Sequence, residues 1–313
     1  MRICLIPRPR RLCALALFSL LAGGLSAADT PVSKPVPASV SAPSPEVERH
    51  NDLVYGEASG QALLLNLSVP KAAKNPPLVV YIHGGSWRAG TYKKCPVDFL
   101  AKEGFAVASI EYRFSKVAPF PAQIHDCKGA IRWLRANAKK YGCDAEKIGV
   151  AGASAGGHLA TLLGTSGGVA DLEGDVGGNT GQSSRVAAVV DYYGPVDFVL
   201  AGKTQPSRNT PESGTYQLLQ GAPSANPEKA RRAGSVTYIS PDDPPLLILH
   251  GDADQTVLLN QSEAIRDAYK NAGLPVELIV LPGARHGGKQ FNTPEIRARI
   301  TAFFRQHLIS PKK

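Results

Sequence analysis

Ten residues constrain this chain more than any others: Ile148-Gly-Val-Ala-Gly-Ala-Ser-Ala-Gly-Gly157, where a short apolar run ends in Gly-Ala-Ser154-Ala-Gly and a helical pattern begins at once. A strand that turns straight into a helix lifts the turn residue clear of the backbone. A serine hydroxyl is a poor nucleophile and needs that presentation to meet a base. Small neighbours relieve the crowding of such a turn, and Gly152, Ala153, Ala155, Gly156 and Gly157 supply them. The same five-residue pattern also occurs in ordinary glycine-rich turns, so its surroundings decide between the two.

Upstream, the apolar residues 78–82 run into His83-Gly-Gly-Ser-Trp87, where a hydrolase of this build places its second oxyanion donor. Downstream, residues 246–250 run into Gly251-Asp-Ala-Asp254, and residues 276–281 run into Pro-Gly-Ala-Arg-His286. Serine, acid and histidine, each just after a strand-like run, follow the order of the α/β-hydrolase fold. Strand and helix patterns alternate throughout, which predicts an α/β chain with a mostly parallel, doubly wound sheet and helices on both faces.

The segments His83-Gly-Gly-Ser-Trp87, Glu111-Tyr-Arg113, Gly152-Ala-Ser-Ala-Gly-Gly-His-Leu-Ala160 and His250-Gly-Asp-Ala-Asp254 resemble the hormone-sensitive-lipase-like esterases. Within them the chain is most similar to the BD-FAE-like branch, the bifunctional feruloyl and acetyl-xylan esterases. The resemblance spans residues 51–308; its motifs are specific for fold and triad and weak for substrate. It implies that Asp254, the second acid of its loop, is the functional carboxylate and that Asp252 shapes the turn. Asp191 and Asp197, near the end of the preceding strand, are the alternatives.

Seven histidines compete for the base. His50, His125 and His307 follow no strand at the reactive edge; His83 opens the oxyanion loop, His158 lies one helical turn past Ser154, and His250 ends a strand. His286, in a loop flanked by glycine, is the expected base. Ser154, Asp254 and His286 are thus the expected catalytic residues, with the N–H groups of Gly84, Gly85 and Ala155 as the oxyanion hole. Ser86 stands where HGGG-type lipases often carry glycine. It and Trp87 are candidates for the substrate pocket, although a tryptophan there is at least as often simple packing.

Along the chain, an antiparallel pair is expected at residues 52–55 and 62–68, a helix at 96–102, and an amphipathic helix at 121–140. Glu111 and Arg113 read as ion-pairing groups, with Asp126 the candidate partner of Arg113. The glycine-rich segment 164–184 reads as a long loop bordering the site. Residues 197–235 read as a small cap with one weak helical patch. Asn260 with Glu263 resembles a capping box, and Thr293-Pro294 opens the last helix.

Residues 1–28 carry Arg2, Arg8, Arg10 and Arg11 ahead of an apolar run and end in Ser26-Ala-Ala28, the pattern of a signal peptide. The run is too short for a membrane span, so export to the periplasm or medium is expected, with no integral span in the mature chain. Residues 29–48, rich in Pro, Ser and Ala, read as a flexible linker, and residues 49–310 as the hydrolase domain. Removing the leader's four arginines from the formal charge of +9 leaves +5, spread without a basic run. Nothing there suggests a nucleic-acid partner. Cysteines and histidines lack metal-ligand spacing and no phosphate loop occurs, so neither metal nor cofactor is expected. Past the leader, Cys95, Cys127 and Cys143 remain; a bridge from Cys95 to either of the others is conceivable, whereas the latter two flank a helix roughly 24 Å long.

The expected activity is that of an exported serine carboxylic-ester hydrolase acting on short acyl or hydroxycinnamoyl esters, such as those on plant polysaccharides. Amide hydrolysis of an arylformamidase or peptidase type uses the same triad. A catalytically silent hydrolase fold serving as a binding module is the third reading; a missing triad member would favour it, and none is missing.

Overall fold

The computed structural model describes residues 46–309. The expected leader, residues 1–28, lies outside them, as does most of the expected linker; the first strand starts at Val47, two residues inside the segment assigned to that linker.

Eight strands form one sheet: β1 (Val47–Ala58), β2 (Gln61–Pro70), β3 (Pro77–Ile82), β4 (Ala106–Ile110), β5 (Asp144–Ala153), β6 (Ala188–Tyr192), β7 (Leu246–Gly251) and β8 (Val276–Leu281). Their spatial order is β1-β2-β4-β3-β5-β6-β7-β8. The first two pairings, β1 with β2 and β2 with β4, are antiparallel; all others are parallel. β4, β6 and β7 are buried along their whole length, which is why their sequences are mostly apolar rather than alternating, each carrying one buried polar side chain: Ser109, Asp191 and His250.

Successive residues of one strand point to opposite faces and so feed two cores. Leu78, Val80 and Ile82 of β3 join a cluster with Ile124 and Ile131 of α1 (Ala122–Asn137), Leu159 and Leu162 of α2 (Ala155–Thr165), and Ile265 and Tyr269 of α7 (Asn260–Asn271). Val79 and Tyr81 join the other, with Leu100 of the 3-10 helix Asp98–Glu103 and with Ile300, Phe303 and Phe304 of α8 (Pro294–Phe304). That 3-10 helix, ended by Gly104 at φ +93°, stands where a helix was expected at residues 96–102.

The expected long loop contains α3 (Ala170–Glu173). It leaves the C-terminal end of α2 and packs along α1: Glu173 takes ion pairs from Lys128 at 2.7 Å and Arg132 at 3.2 Å, and Ser184 donates to the same carboxylate. Because α2 runs away from the strand ends that carry Ser154, a segment following it starts at the opposite edge of the sheet. The cap holds three helices rather than one patch: α4 (Phe198–Thr204), α5 (Gly214–Leu219) and α6 (Pro227–Ala233).

α7 (Asn260–Asn271) has Leu259 at its N-cap with no side-chain cap; Asn260 instead donates to Thr204 at 3.2 Å, so the expected capping box is absent. α8 (Pro294–Phe304) begins as expected, with Thr293 accepting from the Ile296 N–H. Arg113 meets Asp126 at 2.7 Å, buried, whereas Glu111 accepts from the Leu64 N–H. Cys95, Cys127 and Cys143 are free thiols.

Candidate active site

Parallel strands present their C-terminal ends on one edge, and β3, β5, β7 and β8 each deliver one part of the site there. At the end of β5, Ser154 sits at φ +55°, ψ −118°, outside the ordinary helical and strand regions, and its N–H donates to Tyr192 O at 2.8 Å. The flanking glycines are needed sterically: a Cβ on Gly152 would lie 2.1 Å from Gly156 O, and one on Gly156 2.0 Å from Ile82 O.

His286, in the loop after β8, places Nε2 2.8 Å from Ser154 Oγ and Nδ1 2.6 Å from Asp254 Oδ2. Asp254 Oδ1 accepts the N–H groups of Thr256 and Val257 at 2.8 and 3.0 Å. Burial alone would raise this carboxyl, but hydrogen bonds from His250, His286 and Val257 together hold it well below the usual carboxylate range. It is therefore ionised, and its partner Nδ1 carries the proton. Asp252 accepts from Gly283 N–H at 2.7 Å and ties the two loops together.

The alternative acids are elsewhere engaged. Asp197 caps α4, accepting from Val199 and Leu200. Asp191 is fully buried, and burial pushes its carboxyl up to about 7.

Of the expected oxyanion residues, Gly84 packs against the serine: a Cβ there would come 3.3 Å from Ser154 Cβ. Gly85 takes φ +121°, and Ala155 opens α2, where the first N–H groups have no intrahelical acceptor. His83 Nδ1 lies 2.7 Å from Gly84 O and its ring stacks on Tyr112 at 4.5 Å. Ser86 is half-buried beneath the start of α5, where a Cβ on Gly214 would lie 2.7 Å from Ser86 Cβ. Trp87 is 1% exposed and packs on His158 and Phe198, so it offers no ring to a ligand; the pocket expectation fails for this residue because its indole is turned into the core.

Three neighbours of the site were not expected to serve it, and of these only His250 lies in a quoted motif. Tyr193 lies against His286 with ring centroids 4.7 Å apart, and its position directly after β6 was the available signal. His250 Nε2 faces Val257 O at 2.9 Å and Asp254 Oδ2 at 3.4 Å, holding the acid loop from behind. Arg208, from the cap, donates to Thr256 O in that same loop. A cavity of about 220 Å³ reaches Ala153, next to Ser154, and is lined by Tyr81, Pro96, Tyr192, Tyr193 and Phe291. The larger groove of about 850 Å³, between the 3-10 helix Asp98–Glu103 and α8, is lined by none of Ser154, Asp254 and His286. Among the described residues no cluster of three or more His, Cys, Asp or Glu could hold a metal ion, and no helix is long and apolar enough to cross a membrane.

An activated serine beside an imidazole and a fixed carboxylate has the chemistry of acyl transfer. Comparisons with known proteins point the same way. The BD-FAE family model matches residues 65–269. Esterase LipC of Mycobacterium tuberculosis is 30% identical over 75% of this chain and 59% of its own length. Esterase LipQ of the same organism is 29% identical over 80% of this chain and 60% of its own. The chain thus spans about 60% of the length of these curated relatives. Among solved structures, a truncated carbohydrate esterase from gut microbiota superposes with a TM-score of 0.77 at 32% identity, covering 86% of this chain and 99% of that one. An acetyl ester-xyloside bifunctional hydrolase from Caldicellulosiruptor lactoaceticus gives 0.67 at 27%, covering 79% and 88%.

Proposed function

The chain belongs to the BD-FAE family, and from that premise we propose that it is an exported serine carboxylic-ester hydrolase working through an acyl-enzyme. The observation that carries the reading is the continuous chain of contacts from Ser154 Oγ through His286 to Asp254, at 2.8 and 2.6 Å. Ser154 attacks the ester carbonyl while neutral His286 takes its proton on Nε2, and Asp254 stabilises the imidazolium that forms. The N–H groups of Gly84, Gly85 and Ala155 receive the oxyanion. His286 then returns the proton to the departing alcohol, and water repeats the sequence to free the acid.

Short acyl and hydroxycinnamoyl esters of plant polysaccharide are the substrates we propose. The aromatic walls of the cavity beside Ala153 suit a single aryl ring, and the solved carbohydrate esterases named above are compatible with a sugar alcohol. Export rests on the arginine-led apolar stretch of residues 1–28. The test is turnover of the purified chain on p-nitrophenyl acetate, acetylated xylan, methyl ferulate and N-formylkynurenine. Ester turnover with a polysaccharide or ferulate preference supports the reading. Selective cleavage of the formamide would overturn it in favour of amide hydrolysis.

A further inference from the structure

Gly85, Ser86 and Trp87 pass through three successive positive φ angles of +121°, +54° and +58°. For serine and tryptophan such a backbone is sparsely populated and persists only where the surroundings hold it. This is the loop that carries the Gly84 and Gly85 N–H groups.

What holds Trp87 is specific. Its buried indole Nε1–H donates to His158 Nδ1 at 3.1 Å, and its own carbonyl accepts from Ser115 N–H at 2.7 Å. The other nitrogen of the imidazole, His158 Nε2, faces Ala233 O at 2.7 Å. An indole can only donate and a carbonyl can only accept, so His158 carries one proton, on Nε2, and both ring nitrogens are used. Burial keeps that ring neutral by lowering its pKa to about 4. His158 also lies one helical turn after Ser154, donating its backbone N–H to Ser154 O at 3.0 Å. A single ring therefore joins the helix that presents the serine, the loop beside it and the last residue of α6 in the cap.

We infer that His158 is a positioning residue: through the Trp87 indole it fixes residues 84–87 against Ser154, so that the Gly84 and Gly85 N–H groups stay aimed at the developing oxyanion. The inference rests on the esterase reading of Ser154 and adds a residue to it.

The experiment compares the wild type with Trp87→Phe, His158→Leu and His158→Asn at a temperature where all are folded. Asparagine is included because its Oδ1 can accept the indole N–H. Two activity readouts are taken: kcat and KM on p-nitrophenyl acetate, and the rate at which a fluorophosphonate modifies Ser154, which uses the same oxyanion donors whatever the natural substrate. The third readout is the indole N–H signal in a proton–nitrogen NMR spectrum. The chain has only two tryptophans, Trp87 and Trp133, so Trp87→Phe assigns it.

Trp87→Phe and His158→Leu should lower kcat and the labelling rate about 10-fold, less than the 100-fold or more typical of a deleted oxyanion donor. KM should stay within about twofold, as expected when only the transition state is affected. His158→Asn should recover most of the loss, and the Trp87 signal should shift in His158→Leu. Unchanged kcat and labelling in Trp87→Phe, with only a lower melting temperature, would overturn the inference and leave the pair a packing contact. Failure of the esterase reading looks different: a wild type with the Trp87 signal in place yet inert to ester and probe would remove that reading and this inference with it.

Discussion

His286 Nδ1 stands 2.6 Å from Asp254 Oδ2, while the opposite oxygen of the same carboxylate accepts the Thr256 and Val257 N–H groups at 2.8 and 3.0 Å. The acid is thus pinned by its own loop before it meets the imidazole. That bond decides the tautomer: with the proton on Nδ1, Nε2 faces Ser154 Oγ as an acceptor.

Asp254→Asn should therefore cost far more than its small change in shape suggests. An amide can donate to Nδ1 and so favour the tautomer whose Nε2 carries the proton. We expect kcat to fall roughly 1,000- to 10,000-fold with KM little changed. Asp191→Asn, whose carboxyl does not contact the imidazole, should leave steady-state turnover within about threefold. The reverse pattern would move the acid to β6.

Asp191→Asn should instead change how stability depends on pH. Asp191 Oδ1 accepts Gly194 N–H at 2.9 Å, Oδ2 has no partner, and burial raises the folded-state pKa to about 7. A raised pKa means the native state binds the proton more tightly than the unfolded chain, so this contribution is complete below about pH 4 and is lost as pH rises through 7. Urea unfolding should show the variant gaining on the wild type by on the order of 1 kcal/mol per pH unit across that window. Parallel curves would contradict the assignment.

Arg113→Ala removes one partner of a buried pair in which Asp126 is fully buried. Stability should drop by roughly 3–5 kcal/mol because a carboxylate is stranded, while turnover per folded molecule is retained. Calorimetry and active-site titration on the same preparation separate the two.

Denatured without reductant, the chain from residue 29 onward should take up one alkyl group at each of Cys95, Cys127 and Cys143, since all are free thiols. An increase in labelling after reduction, read by mass spectrometry, would reveal a bridge.

Much of the fold could be read from residues because its signals are local. The step from β5 to Ser154 to α2 needs small residues at fixed offsets: a Cβ on Gly152 or Gly156 would fall 2.0–2.1 Å from a backbone oxygen. The fully buried strands β4, β6 and β7 announce themselves as apolar runs interrupted by a single polar residue each. What was hidden depends on tertiary contact. Polar, glycine-rich composition says that residues 164–184 form a loop but not which edge of the sheet they leave from, and Glu173 ties them to α1. Asn260 has the right residue type for a cap, yet Thr204 of the cap competes for its side chain. The helices α4 to α6 are 6 or 7 residues each, too short to carry a clear period. Trp87 and Tyr193 show the same limit from both sides: nothing in an aromatic residue's neighbours in sequence tells whether its ring faces a ligand, the core or an imidazole.

The most direct test of the account is Ser154→Ala against wild type on p-nitrophenyl acetate, with intact-mass analysis of the quenched enzyme. The account predicts a wild type that turns over and carries a transient acetyl group on Ser154, and a folded variant reduced by roughly 1,000,000-fold with no acetyl adduct. Turnover surviving in the variant, or acetylation at another residue, would contradict it.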